Sequence, residues 1–153
     1  MRVRLLLPLT LALFLASAGS AHAQASASLG VGVASPQGDF GDVVDEGYTI
    51  RGQLALSALG LVEVHTQAGW TRFPAESDAT DDANILHAGV GARLGVFGLA
   101  FIGANGAYFF GDGDDEVGFF PEIGVGLGPL EVVADYRFGS DFDWFGLRGA
   151  LKF

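Results

Sequence analysis

The sequence predicts an all-β chain: an eight-stranded antiparallel up-and-down transmembrane β-barrel, preceded by a cleaved signal peptide. Three observations predict it. The N-terminus is laid out as an export signal. The remainder alternates apolar and polar residues with period two. The connections between the alternating segments are short and long in turn.

The elements follow in order. Arg2 and Arg4 form a basic n-region, Leu5 to Ala16 an apolar stretch, and Ala21-His22-Ala23 a small-residue site, so cleavage is expected after Ala23. The apolar stretch of about a dozen residues falls short of the roughly 20 that a spanning helix needs; an uncleaved anchor helix is the alternative. Residues 1–23 are therefore expected to be the signal peptide and residues 24–153 one barrel domain, with no room for a separate periplasmic module. With no cysteine, neither a disulfide framework nor a thiolate metal site is open to the chain.

Eight alternating segments are expected at Ala25 to Ala34, Tyr48 to Ala58, Leu61 to Phe73, Ile85 to Leu94, Leu99 to Phe110, Phe119 to Leu127, Leu130 to Phe138 and Phe145 to Phe153. Most match the 9–11 residues of a tilted membrane-crossing strand. The short connections are Leu59-Gly60, Gly95 to Gly98 and Gly128-Pro129, where Gly and Pro supply turn geometry. The long ones are Ser35 to Gly47, Pro74 to Asn84, Gly111 to Gly118 and Gly139 to Trp144. Three short and four long connections imply eight strands with both termini on the short-turn side, which is the periplasmic side of such a barrel.

Charge sorts with this layout. Asp39, Asp42, Asp45, Glu46, Glu76, Asp78, Asp81, Asp82, Asp112, Asp114, Asp115, Glu116, Asp141 and Asp143 all fall in long loops, 14 of the 18 acids. Loss of Arg2 and Arg4 leaves 6 basic residues against 18 acids, a net charge of −12 that disfavours nucleic acid as a partner.

Alternation alone does not say which face is inside. One face carries Arg51, Glu63, His65, His87, Arg93, Glu122, Glu131, Asp135, Arg137, Arg148 and Lys152; the other carries residues such as Leu29, Val31, Ile50, Leu54, Val90, Ile102, Ile123 and Leu147. Turning nine ionised groups to lipid would cost on the order of tens of kcal/mol, at roughly 2–4 for each basic residue near the midplane. In a bilayer they must face inward, five positive against four negative, as a polar lumen network with a structural role. Gly30, Gly32, Gly69, Gly89, Gly91, Gly95, Gly103, Gly124, Gly126 and Gly146 share that face, and small residues beside large ones point to a plugged lumen. Arg72 is the exception on the apolar face, beside a long loop where its head can snorkel to water. Tyr48, Trp70, Phe73, Phe110, Phe119, Phe138, Trp144 and Phe145 are expected to form a girdle at headgroup level.

The last segment, Phe145-Gly146-Leu147-Arg148-Gly149-Ala150-Leu151-Lys152-Phe153, alternates and ends in Phe. It resembles the C-terminal signature of bacterial outer-membrane barrels. With the export signal and eight strands, the mature chain resembles the small barrels of the OmpA/OmpX type. Ser35-Pro36-Gln37-Gly38-Asp39-Phe40 is similar to a recurrent feature of the outer-membrane β-barrel families. The resemblance implies a cell outer membrane location in a Gram-negative-type envelope and recognition of the Phe153 strand by the barrel assembly machinery. It also implies surroundings of outer-membrane lipid and lipopolysaccharide. A monomer is expected. Fold does not give function, since these families include adhesins, structural proteins and lipid-modifying enzymes.

No catalytic constellation stands out. His22 leaves with the signal, and His65 and His87 lack further ligands at a spacing that would hold a metal. No long loop contains a histidine, so Ser35, Ser77 and Ser140 read as loop formers rather than nucleophiles. The run Gly111 to Glu116 lacks the ordered ligand series of a calcium loop and reads as a solvated tip; acidic loops sharing divalent ions with lipopolysaccharide is a further possibility. Neither cofactor nor metal is expected, and no enzyme activity. The expected role is structural or one of surface interaction. The alternatives are a narrow channel or lumen small-ligand site, a lipid-modifying enzyme, and a soluble lipocalin-like barrel with its faces reversed.

Overall fold

A computed structural model describes residues 24–58, 61–76, 81–111, 116–139 and 142–153. The expected signal peptide, the Leu59-Gly60 turn, Ser77, Asp78, Asp112, Asp114, Asp115, Ser140 and Asp141 lie outside them.

Eight strands close into one antiparallel barrel in chain order. They are β1 (Gln24–Gln37), β2 (Gly47–Ala58), β3 (Val62–Phe73), β4 (Ala83–Val96), β5 (Ala100–Phe110), β6 (Glu116–Leu127), β7 (Leu130–Arg137) and β8 (Asp143–Lys152). β1 closes on β8, and beyond the strand end Phe153 exchanges two 2.8 Å backbone hydrogen bonds with Ala27. Closure leaves no unpaired edge, which an open sheet of such strands would have to protect.

Period two holds along every strand. Val31, Leu54 and Val90 are 60%, 66% and 59% exposed on the outside, whereas Arg51, Arg137 and Arg148 are 1–2% exposed on the inside. This is the reverse of a water-soluble barrel, and the lipocalin-like alternative fails on it.

The boundaries shift where turn chemistry overrides pattern. β4 continues through Gly95 and Val96, which still pair with Phe101 and Ala100, so the expected Gly95–Gly98 turn is instead Phe97-Gly98-Leu99. Phe97 (φ 53°) and Gly98 (φ 75°) both take the left-handed region there. Gly128 (φ 65°) opens the Gly128-Pro129 turn between the paired Leu127 and Leu130, a geometry that needs Gly at the first central position. At the opposite end β1 runs to Gln37, and the chain then forms a 3-10 helix over Gly38–Asp42. Glu116 and Asp143 are the first residues of β6 and β8 rather than loop residues.

One seam is interrupted. The β6–β7 ladder stops at Glu122↔Asp135 and resumes only as an isolated Phe119↔Phe138 bridge. Continuing that register puts Pro121 opposite Tyr136. Phe119 donates its N–H to Phe138 just beyond β7, so the residue two positions on should likewise donate to Tyr136, and a proline has no N–H to give.

Candidate functional site

Alternation delivers a polar side chain to the barrel axis at every second position, and the register decides which ones meet. The nine ionised side chains expected on the inside join one network, and Glu116 at the start of β6 shares their inward phase. Lys152 Nζ lies 2.8 Å from Glu63 and 3.7 Å from Glu131. Arg93 bridges Glu63 (3.2 Å), Glu131 (3.3 Å) and Glu122 (2.5 Å). Asp135 takes Arg51 at 2.8 Å, Arg148 at 3.3 Å and Arg137 at 3.5 Å. Charges removed from water are tolerable only when paired and hydrogen-bonded.

The two histidines occupy different surroundings. His65 Nε2 lies 2.7 Å from Asn105 Oδ1, which also accepts from Gln67 Nε2 at 3.3 Å. His87 is in contact with Arg137, whose Nη1 lies 3.3 Å from His87 Nδ1. Among the described residues no group of three or more His, Asp or Glu side chains could hold a metal ion.

The inward glycines have a specific use. A Cβ on Gly30 would lie 2.6 Å from Arg148 Cδ, on Gly146 2.5 Å from Asp135 Oδ1, on Gly91 2.6 Å from His65 Nε2, and on Gly103 3.0 Å from Glu122 Oε1. Each glycine thus leaves the space in which a long polar side chain of a neighbouring strand lies against the wall.

Above the network, at the long-loop end, the interior turns apolar. Ala34, Val44, Phe73, Ile85, Ala107, Phe109, Phe120 and Trp144 form a buried cluster, with Phe40 and Phe142 packed on it. Phe40 comes from the 3-10 helix and meets Phe73 edge-on at 5.0 Å; Phe142 meets Trp144 at 5.2 Å. The underside of this roof receives Arg137, whose guanidinium carbon sits 4.7 Å from the Trp144 ring and 4.9 Å from that of Phe120. Such a stack is worth about 2 kcal/mol when desolvated.

Two expected girdle residues are therefore corrected: Phe73 and Trp144 point inward and are fully buried. Phe73 has the parity of His65 and Thr71, and Trp144 that of Arg148, so strand phase outweighs the general preference of aromatics for the interface. Tyr48, Phe110, Phe119, Phe138 and Phe145 are exposed on the outside, and Tyr48 packs edge-on against Trp70. Inward Gln53, Gln67, Asn105, Thr49 and Thr71, and inward Phe101 over Gly124, were not singled out in the sequence, although their parity marks them.

At the rim, Arg72 donates to Asp82 Oδ2 from Nε (3.2 Å) and from Nη2, and Asp82 Oδ1 accepts the Ala75 N–H at 3.0 Å. Arg72, followed by the Ala75 N–H, holds the Asp82 carboxyl below its ordinary range. Phe153 is 73% exposed.

The closed antiparallel wall, the apolar exterior and the ionised interior decide the class of the fold. It is that of the small transmembrane β-barrels. The Yersinia pestis outer membrane protein Ail, solved in phospholipid bilayer nanodiscs, matches with a TM-score of 0.58 at 10% identity over 85% of this chain and 100% of that one. Neisserial surface protein A matches with a TM-score of 0.58 at 13% identity over 85% and 97%. A de novo designed transmembrane β-barrel matches with 0.58 at 14% identity over 84% and 95%. At these identities the likeness concerns the fold alone. No family model matches the sequence, and no curated protein is significantly similar to it.

Proposed function

We propose that the chain is a non-catalytic integral protein of a bacterial outer membrane, similar to the OmpA/OmpX-type barrels. Its barrel is an anchor with a closed lumen, and its acidic long loops are the surface offered for interaction. One observation carries this reading: aliphatic side chains cover the outside of the wall while nine ionised ones pair along its axis. Lipid is the surrounding that such a wall fits.

The remaining parts of the reading follow from the same layout. Gln24, Phe153 and the described short turns share one end, which we assign to the periplasm, with Asp39, Asp42, Asp45, Glu46, Glu76, Asp81, Asp82, Glu116 and Asp143 at the other. Acidic loops beside anionic lipopolysaccharide fit bridging by divalent ions. The terminal Phe153 strand, which seams the barrel to β1, is the element we assign to recognition by the assembly machinery. The ion-paired axis and the aromatic roof favour an anchor over a narrow channel. We assign the polar network Arg51, Glu63, His65, His87, Arg93, Glu122, Glu131, Asp135, Arg137, Arg148 and Lys152 a structural role, and propose a monomer.

Two measurements test the proposal together. Membrane fractionation should find the chain in the outer membrane, extracted only by detergent, and planar bilayers should show no steady conductance. Recovery as a detergent-free soluble protein would overturn the location. Single-channel steps that change in Arg51→Met or Arg93→Met would overturn the closed lumen.

A further inference from the structure

We propose that the roofed half of the lumen holds a monovalent, halide-sized anion among Arg51, His87, Arg137 and Arg148. The inference rests on the closed lumen proposed above and is independent of the anchor role. Its basis is an excess of both positive charge and hydrogen-bond donors in one place.

The charge excess is local. Glu122 is committed to Arg93 at 2.5 Å, and Arg51 Nη1 and Arg148 Nη2 reach its other oxygen only at 3.8 and 3.9 Å, beyond hydrogen-bonding distance. That leaves Asp135, among the described residues, as the one close carboxylate for three guanidiniums, each no more than 2% exposed. Arginine stays protonated in proteins, so it cannot relieve the excess by losing a proton. Glu116 also faces inward from the first position of β6, so the lumen as a whole holds, among the described residues, five cations and five anions, and the excess is confined to the neighbourhood of Asp135.

The donor excess coincides with it. Arg51 Nε and Nη1, Arg137 Nε and Nη2, Arg148 Nη2 and His87 Nε2 are buried without a hydrogen-bond acceptor, six donors beside two unpaired carboxylate oxygens, Glu122 Oε2 and Asp135 Oδ1. A guanidinium has no lone pair to offer, so the Arg137–His87 contact requires His87 Nδ1 to accept. The neutral ring must then carry its hydrogen on Nε2. The register puts Gly69 between Arg51 and His87, and a Cβ there would lie 2.5 Å from His87 Cε1, so this ring lies against β3 next to Arg51. Buried donors of this kind are costly when unsatisfied, more so if charged. An anion accepts from several such donors at once.

The test is equilibrium unfolding of the barrel in zwitterionic lipid vesicles, titrating chloride or bromide against gluconate at constant ionic strength. Halide should lower the unfolding constant in proportion to 1 + [halide]/Kd, by about elevenfold when its concentration is ten times its Kd. The effect should persist in Arg72→Gln, an arginine at the rim, and vanish in Arg137→Gln and His87→Phe. No halide dependence, or one that survives in Arg137→Gln, overturns the site. Should those variants not fold, bromide-soaked crystals of the unsubstituted protein decide it: an anomalous peak in contact with Arg137 or His87 supports the proposal, and none there rejects it.

Discussion

Replacing Asp135 by Asn changes almost nothing but one charge, and the structure predicts a large effect. Asp135 is 3% exposed and receives Arg51 Nη2 at 2.8 Å, Arg148 Nη1 at 3.3 Å and Arg137 Nε at 3.5 Å. Asn keeps the volume but leaves three buried guanidiniums without their close carboxylate. Removing one partner of a buried ion pair costs about 3–5 kcal/mol. That is a sizeable part of the 5–15 kcal/mol by which a typical domain is stable. Urea unfolding in lipid vesicles would measure the loss through Trp70 on the outer wall and Trp144 in the roof, in gluconate so that no halide compensates. Asp39→Asn in the exposed 3-10 helix should stay within about 0.5 kcal/mol. If Asp135→Asn also cost less than about 1 kcal/mol, the ion-paired lumen would not be what holds the barrel together.

Three further outcomes follow from the geometry. Gly146→Ala should destabilise by about 1–3 kcal/mol, because its Cβ would sit 2.5 Å from Asp135 Oδ1. Gly149→Ala, three residues along on the outer face with nothing within 4 Å, should instead gain up to about 1 kcal/mol; the same unfolding titration reads both. Pro121→Val restores a donor opposite Tyr136, so it should stabilise by about 0.5–1.5 kcal/mol and slow amide hydrogen exchange along β6–β7. At the rim, the Arg72–Asp82 tie is present above the unfolded-state aspartate pKa of about 3.9 and is lost as pH falls through the lower folded value. A carboxyl NMR titration should therefore place Asp82 below that reference, and Arg72→Gln should move it upward; an unmoved midpoint would mean the contact is not maintained in solution.

Much of this architecture was legible in the residues because one rule, period two against a two-faced environment, governs every strand. The rule assigned Arg51, Arg148 and the inward glycines to the correct side without any knowledge of partners. It also covered Phe73 and Trp144, which a general preference of aromatics for interfaces sent to the wrong face. Their phase put them inside, where they roof Arg137. Partnering was not legible. Lys152 meets Glu63 across 89 residues and Arg51 meets Asp135 across 84, and those meetings depend on register, which the pattern along a single strand does not encode. The same holds for the pairing of each glycine with the side chain laid over it. The Gly95–Gly98 turn was misplaced because Phe97 takes a left-handed conformation that its side chain does not advertise.

The partition of side chains between lipid and axis is the claim on which everything else depends, and the absence of native cysteine makes it directly measurable. Single cysteines from Glu131 to Arg137 along β7, spin-labelled in lipid vesicles, would report collision with oxygen dissolved in the bilayer. Labels at 132, 134 and 136 should collide freely and those at 131, 133, 135 and 137 should be shielded. The opposite phase, or no alternation at all, would contradict the account.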